Sequence, residues 1–189
     1  METETGSEFI SEAHVRHVTR YMDASEHIDG GLVMDAACGT GYGTKLLAPY
    51  CDNIIGVDFN ADAIKEAVRD YVPHCQFMQA NLLEANYGGV DTIVSIETIE
   101  HFSKDDGARL LKNFNKWLHR KGQLIISTPY SLQSGPSPIT KQHLWEYSLT
   151  DIERALADGG FVVENIALKK RLGKAGRLGD CMIKAIKQG

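Results

Sequence analysis

Glu97, Glu100 and His101 stand at i, i+3 and i+4 in the run Ser95-Ile96-Glu97-Thr98-Ile99-Glu100-His101-Phe102. If that run turns helically, the three side chains share one face. Two carboxylates and an imidazole gathered without a Lys or Arg partner repel one another at neutral pH, and a divalent cation is the economical way to stabilise them. Oxygen and nitrogen donors suit Mg²⁺, Mn²⁺, Fe²⁺ or Zn²⁺. A fourth ligand has to come from elsewhere, and His143, in Gln142-His143-Leu144-Trp145-Glu146-Tyr147, is the best offer. The expected metal set is therefore Glu97, Glu100, His101 and His143, with Glu100, His101 and His143 carrying the chemistry. Without a metal, His101 would act as a lone general base. As a purely structural cluster, Glu97 would end its strand and Glu100 would cap the following turn.

A second constellation lies upstream. Val33-Met34-Asp35-Ala36-Ala37-Cys38-Gly39-Thr40-Gly41-Tyr42-Gly43 runs from an apolar strand into a glycine turn, and a helix begins behind it. Glycines there allow positive φ and let a ligand approach main-chain N–H groups with no Cβ in the way. Ile54-Ile55-Gly56-Val57 then reads as the next buried strand and ends in Asp58, about 20 positions beyond the turn, where an acid can hold a ribose diol. The spacing Gly39, Gly41, Gly43 is not that of a nicotinamide fingerprint, and Thr44 stands where its third glycine belongs. Asp35, inside the strand, would repel a pyrophosphate, yet it can order the turn and attract an amino group directly or through water. S-adenosylmethionine offers an ammonium, a sulfonium and no phosphate.

The cofactor contacts expected on this basis are Asp35 with Gly39 and Gly41 at the methionine end and Asp58 at the ribose. Phe59, Asn81 and Leu82 would take the adenine, with Ile96 at the end of the fourth strand. The Asn81 amide oxygen would accept from the adenine amino group. Arg20 would clamp the methionine carboxylate or form a surface ion pair. Cys38 reads as a small filler, and His14 and His17 as helix packing.

Alternating apolar and amphipathic segments must position these groups. They predict a doubly wound, mostly parallel seven-stranded sheet with helices on both faces. A leading helix is expected over about Ser7–Met22, within a leading region 1–30. Strands are expected at Leu32–Ala36, Asn53–Val57, Gln76–Gln79, Asp91–Ile96 and Gln123–Thr128. Helices are expected over Gly41–Pro49, from Asn60 toward Val72, over Asp105–His119 and over Thr150–Ala157. Lys121-Gly122 reads as the turn into the fifth strand, and Gly159-Gly160 as a helix stop. Two last strands, near Phe161–Leu168 and Asp180–Ile186, would close the sheet as an antiparallel pair. The fourth strand borders the point where strand order reverses, so the Glu/His face looks into the cofactor crevice. The loop 131–143, rich in turn formers, is a candidate substrate lid.

At 189 residues the chain is one domain of ordinary size, 1–189. Its net charge of −5 argues against general nucleic-acid binding. One local exception is the last stretch, where Lys169, Lys170, Arg171, Lys174, Arg177, Lys184 and Lys187 face one acid, Asp180. It reads as a solvated terminal hairpin or as a phosphate-steering rim. Four cysteines without a CxxC pair suit a reduced, cytoplasmic setting. No apolar run approaches the ~20 residues of a membrane span, and Met1–Glu8 does not resemble a signal peptide.

The string D-A-A-C-G-T-G-Y-G with Asp58 downstream resembles the first two motifs of the class I methyltransferases, which implies a Rossmann-like fold and S-adenosylmethionine as cofactor. The spacing E-x-x-E-H followed by a distant H-x-x-E-aromatic is similar to the metal-binding set of the small-RNA 2′-O-methyltransferases, and the ubiquinone-pathway O-methyltransferases carry a similar E-x-x-E-H. Many bacterial and phage methyltransferases share more of the chain: His-x-x-Arg-Tyr (His17 to Tyr21), C-G-T-G-Y-G, E-T-I-E-H, S-T-P (Ser127 to Pro129) and H-x-x-E-[FY]. The resemblance implies methyl transfer, with Mg²⁺ or Mn²⁺ at the Glu/His set and a hydroxyl or diol on a small molecule, a glycan or a nucleic-acid end as acceptor. Alternatives are metal-independent N- or O-methyl transfer with His101 as base, and a non-catalytic cofactor-binding subunit.

Overall fold

The computed structural model describes residues 12–69, 72–137, 139–170 and 177–188. Seven strands form one sheet: β1 (Leu32–Ala36), β2 (Asn53–Asp58), β3 (Cys75–Gln79), β4 (Val90–Ile96), β5 (Leu118–Ser131), β6 (Phe161–Lys170) and β7 (Arg177–Lys187). Their order is β3-β2-β1-β4-β5-β7-β6. The first five run parallel, and β7 inserts antiparallel between β5 and β6. The expected doubly wound architecture with its antiparallel end is what the chain adopts. Because β1 pairs with both β2 and β4, the strand order reverses there and a crevice opens at their carboxyl ends.

Among the described residues, five α-helices cover the faces: α1 (Glu12–Ser25), α2 (Tyr42–Leu47), α3 (Ala61–Ala67), α4 (Lys104–Trp117) and α5 (Leu149–Asp158). Alternation along β1 divides the core. Val33 joins Tyr21, Leu47, Ile54 and Ile125 on the α1/α2 side, whereas Met34 and Ala36 join Leu110, Phe114, Trp117, Ile152 and Leu156 under α4 and α5. Side-chain caps start three helices: Asn60 accepts from the Asp62 amide at 2.9 Å, Ser103 from Asp106 at 3.1 Å and Ser148 from Asp151 at 3.2 Å.

Element boundaries differ from expectation in several places. The leading helix continues to Ser25, while the stretch before residue 12 lies outside the described residues. Helix α3 stops at Ala67 and does not reach Val72. Lys121-Gly122 does not break the chain: β5 runs through it from Leu118, with a register shift against β4 and Lys121 at φ 65°. Finally, the run after β4 is not a continuous helix. Glu97 takes φ 51°, and only Ile99–His101 forms a short 3₁₀ turn. No described helix is long and apolar enough to cross a membrane.

The basic terminal stretch is mostly neutralised where it is described. Lys169 pairs with Asp23, Arg177 with Glu146, and Lys184 with Glu164 at 3.3 Å, while Lys187 donates to the Leu118 carbonyl at 2.8 Å. Those pairings favour the solvated hairpin over a phosphate-steering rim; Arg171 and Lys174 lie outside the described residues.

Candidate active site

The glycine turn is built from backbone up. The Ala37 and Cys38 amides donate to the Val57 carbonyl at 2.8 and 3.1 Å, which ties the turn to the end of β2. Asp58 then bridges two loops, accepting from the Gly39 amide at 2.9 Å and from the Asn60 amide at 2.9 Å. Gly39 (φ 55°) and Gly41 (φ 77°) are both left-handed, but for different neighbours. A Cβ on Gly39 would meet nothing within 4 Å, whereas one on Gly41 would lie 2.5 Å from the Phe77 ring and 2.8 Å from Ala67 Cβ. Gly43 admits the Tyr21 ring, which a Cβ would approach to 2.1 Å. One glycine thus leaves room for a ligand and two permit packing.

A cavity of about 1090 Å³ opens over the turn, large enough for a nucleoside cofactor and part of an acceptor. Gly39, Asp58, Phe59, Asn81, Leu82 and Ile96 line it, as expected. Three expected contacts do not, and the first is Gly41, which packs against Phe77 and Ala67. Asp35 is fully buried beneath the turn, accepting from Thr44 Oγ1 at 2.6 Å and from the Tyr21 hydroxyl at 3.2 Å. It therefore acts through Tyr21 and Thr44 and is not exposed to a ligand. Arg20 is buried as well, held between Glu97 Oε2 at 3.2 Å and Asp180 Oδ2 at 2.8 Å; it belongs to an internal ion triad, not to a surface pair or to the cavity wall. Asn81 stays in the wall, but its amide oxygen accepts from the Leu83 amide at 3.0 Å, so the NH₂ is the half left for a nucleobase.

Burial pushes the Asp35 carboxyl up to about 7, against the opposing hydrogen bonds from Thr44 and Tyr21. The folded protein therefore holds this proton more tightly than the unfolded chain, and folding loses stability as pH rises from about 4 to about 7. The shift corresponds to at most about 4 kcal/mol. Asp35→Asn is expected to flatten that part of the profile, so urea unfolding of both proteins at pH 5 and pH 8 should show the variant gaining on the native chain at pH 8. A parallel pH dependence in both would refute the assignment.

The second constellation is assembled from β4, the 3₁₀ turn and the segment after β5. Glu100 is fully buried; Oε2 accepts from Thr128 Oγ1 at 3.1 Å, and Oε1 has no hydrogen-bond partner among the described residues. Burial and then the neighbouring Glu97 push its carboxyl well above the ordinary range. His101 Nδ1 lies 2.9 Å from the Gln142 carbonyl, to which it donates, leaving the Nε2 lone pair available. The His101 and His143 rings meet edge to face with centroids 5.0 Å apart. Ligand atoms of Glu100, His101 and His143 all lie within 4.8 Å of one another.

Glu97 departs from the expected set. Its backbone reverses hand at the strand end, and its carboxylate accepts from Ser127 Oγ at 3.1 Å and pairs with Arg20. Burial raises its pKa while Arg20 opposes the rise. The premise of a cluster without cationic partners therefore fails at this residue, because Arg20 arrives from α1, some 77 positions upstream. A left-handed non-glycine residue costs on the order of 1–3 kcal/mol, which these bonds offset.

Several residues of the site escaped the sequence reading. Glu146 is buried and accepts from Ser131 Oγ at 2.9 Å, from Ser137 Oγ at 2.7 Å and from Arg177. Burial alone would raise its pKa, but the bonds from Arg177, Ser137 and Ser131 override it and hold the carboxylate at about 2. His143 Nδ1 sits 3.1 Å from Glu146 Oε1 and 2.8 Å from Arg177 Nη2. Burial lowers the His143 pKa, which keeps the imidazole neutral. The H-x-x-E pattern was the signal for Glu146; nothing local announced Arg177. His17, expected to pack within α1, lines the cavity, as does Gln142.

Residues 33–122 match a family model described as a methyltransferase domain. A "Probable S-adenosylmethionine-dependent methyltransferase" of Mycobacterium tuberculosis is 33% identical over 152 residues, covering 78% of this chain and 54% of that protein. The chain is similar to S-adenosylmethionine-dependent methyltransferases. It spans about half the length of that relative. Phosphoethanolamine N-methyltransferase 3 of Arabidopsis thaliana is 26% identical over 167 residues, which are 82% of this chain and 34% of the plant protein. In fold, the chain is similar to magnesium protoporphyrin IX methyltransferase of Synechocystis, solved with bound S-adenosylhomocysteine: TM-score 0.75 and 19% identity, covering 97% of this chain and 90% of that one.

Proposed function

We propose that the protein transfers the methyl group of S-adenosylmethionine to a hydroxyl oxygen, on a diol-bearing acceptor, beside a divalent cation held by Glu100, His101 and His143. The observation that carries the reading is the buried Glu100 Oε1, which has no hydrogen-bond partner among the described residues and lies in one cluster with two histidines. A carboxylate oxygen without partner in that position is costly unless protonated or bound to a cation. His101 presents its Nε2 lone pair, and His143 presents one at Nε2 in the tautomer whose Nδ1–H donates to Glu146. A divalent cation bound there would supply Lewis acidity that lowers the pKa of an acceptor hydroxyl. Mg²⁺ or Mn²⁺ is proposed on the likeness to the E-x-x-E-H families, since mixed oxygen and nitrogen donors suit Fe²⁺ and Zn²⁺ as well.

The chain's own residues supply the rest. The Gly39 and Asp58 region would hold the cofactor with its sulfonium toward the Glu100–His101 turn. The acceptor oxygen attacks the methyl carbon in line, the C–S electron pair passes to sulfur, and S-adenosylhomocysteine leaves. The hydroxyl proton passes to solvent, because a cation at the site would occupy the His101 Nε2 lone pair. Most of the rate would come from alignment, because the sulfonium is already a good leaving group.

One observation favours a second reading. The Arg177 guanidinium 2.8 Å from His143 Nδ1 places positive charge beside a cation site. In a metal-free enzyme His101 would be the general base, oriented by the Gln142 carbonyl.

Calorimetric titration of S-adenosylhomocysteine, and then of Mn²⁺ and Mg²⁺, into chelator-treated protein separates the two. Cation binding that is lost in Glu100→Ala and in His101→Ala, while the cofactor product still binds, supports the metal reading. It would direct the acceptor search to vicinal diols assayed with methyl-labelled cofactor. Product binding with no cation response would leave the metal-free base.

A further inference from the structure

A second cavity, of about 410 Å³, shares no lining residue with the cofactor cavity. It lies between α4 and α5 and against Trp145. The i, i+4, i+8 spacing of Lys104, Ala108 and Lys112 places them along one face of α4, so two ammonium groups flank a one-carbon side chain. Lys104 Nζ sits 5.6 Å from the centre of the Trp145 ring. Lys112 makes no ion pair among the described residues. Asp151, in the same wall, is already satisfied: it accepts from Ser134 Oγ at 2.6 Å and Ser148 Oγ at 2.9 Å and pairs with Arg154 at 3.1 Å. Asp158 is the one remaining acid of the lining, against the two lysines.

The volume is that of a small-molecule site, at the lower end of the usual ~300–1,000 Å³ range. A half-buried indole offers a face to a planar ring, and two ammonium groups on one helix face at a cleft draw an anion, although Lys104 also interacts with Asp151. We propose that this cleft binds a small aromatic anion, with its ring against Trp145 and its acidic group between Lys104 and Lys112. The site is linked to the catalytic cluster by backbone, since the Trp145 amide donates to the Glu100 carbonyl at 3.2 Å. The inference does not depend on the metal or on the acceptor, because it uses neither.

The test uses 1-anilinonaphthalene-8-sulfonate and its uncharged counterpart N-phenyl-1-naphthylamine, each titrated into the full chain saturated with S-adenosylhomocysteine. One sulfonate should bind per chain. The double variant Lys104→Ala/Lys112→Ala should weaken the sulfonate about 5- to 10-fold and change the uncharged probe by less than about 2-fold, as expected for partly screened charges. Ala108→Phe fills the cleft from an exposed helix position and should weaken both probes, with an unchanged unfolding midpoint confirming the fold. Binding of several sulfonates per chain, or unchanged sulfonate affinity in the double variant, would overturn the proposal.

Discussion

Gly41→Ala is expected to destabilise the protein by about 3 kcal/mol, combining about 1–2 kcal/mol for a left-handed alanine with a similar overpacking cost. The backbone there stands at φ 77°, and the new methyl group would lie 2.5 Å from the Phe77 ring, which is wedged between the turn and Gly56. Gly39→Ala should behave differently although it lies two residues away. Its φ of 55° carries the same backbone penalty, yet no protein atom lies within 4 Å of the added carbon. The loss of stability should be about 1 kcal/mol, while affinity for S-adenosylhomocysteine falls by tenfold or more because the methyl group intrudes on the cavity. Denaturant unfolding and calorimetry on the two variants measure both effects. Equal losses of affinity and stability in the two would mean that the turn works as one rigid unit, with no division between ligand clearance and packing.

The second large effect is at Arg20. Its guanidinium is 7% exposed and serves two carboxylates, Glu97 at 13% and Asp180 at 7%. Arg20→Ala leaves both without their shared partner, and removal of one member of a buried ion network costs about 3–5 kcal/mol. The loss should be larger at pH 8 than at pH 5. Burial already holds the Glu97 pKa above its ordinary value, and without Arg20 it rises further, so the folded state takes up a proton that the unfolded chain does not. Stability then falls as pH climbs through that window. Neutralising the acids as well, in Arg20→Met/Glu97→Gln/Asp180→Asn, should recover much of the loss. A single-variant effect below about 1 kcal/mol would show the triad to be screened like a surface pair.

The glycine turn and Asp58 were legible because their function is local. A turn that needs left-handed backbone selects glycine at fixed spacing, and an acid at the end of the next strand follows from the length of one crossover. The strands were legible for a similar reason, since a parallel sheet buried on both faces leaves short apolar runs such as 32–34 and 54–57. The boundaries were less so. Lys121-Gly122 carries turn residues and falls in the register shift, between the Val90–Leu118 pair and Gln123, where pairing with both β4 and β7 is in place.

The Glu/His run was misread in part. Spacing of three and four assumes a helix, but Glu97 reverses hand to close β4, and that single dihedral turns its carboxylate from the histidines toward Arg20. The partner itself could not be read, because Arg20 and Glu97 meet only when α1 packs beside the carboxyl end of β4. Arg177 is the same case: it reaches Glu146 and His143 because β7 inserts beside β5.

By itself, then, the sequence determined the doubly wound sheet, the glycine turn with Asp58, and the kinds of side chain gathered after β4. All of these depend on backbone conformations and repeats written over a few consecutive residues. Only the tertiary structure decided which charges neutralise which: Arg20 with Glu97 and Asp180, Arg177 with Glu146, and Glu100 left with an unpaired oxygen beside His101 and His143. Charge pairing depends on distance and burial, and those are set by strand order and helix packing between segments far apart in the chain.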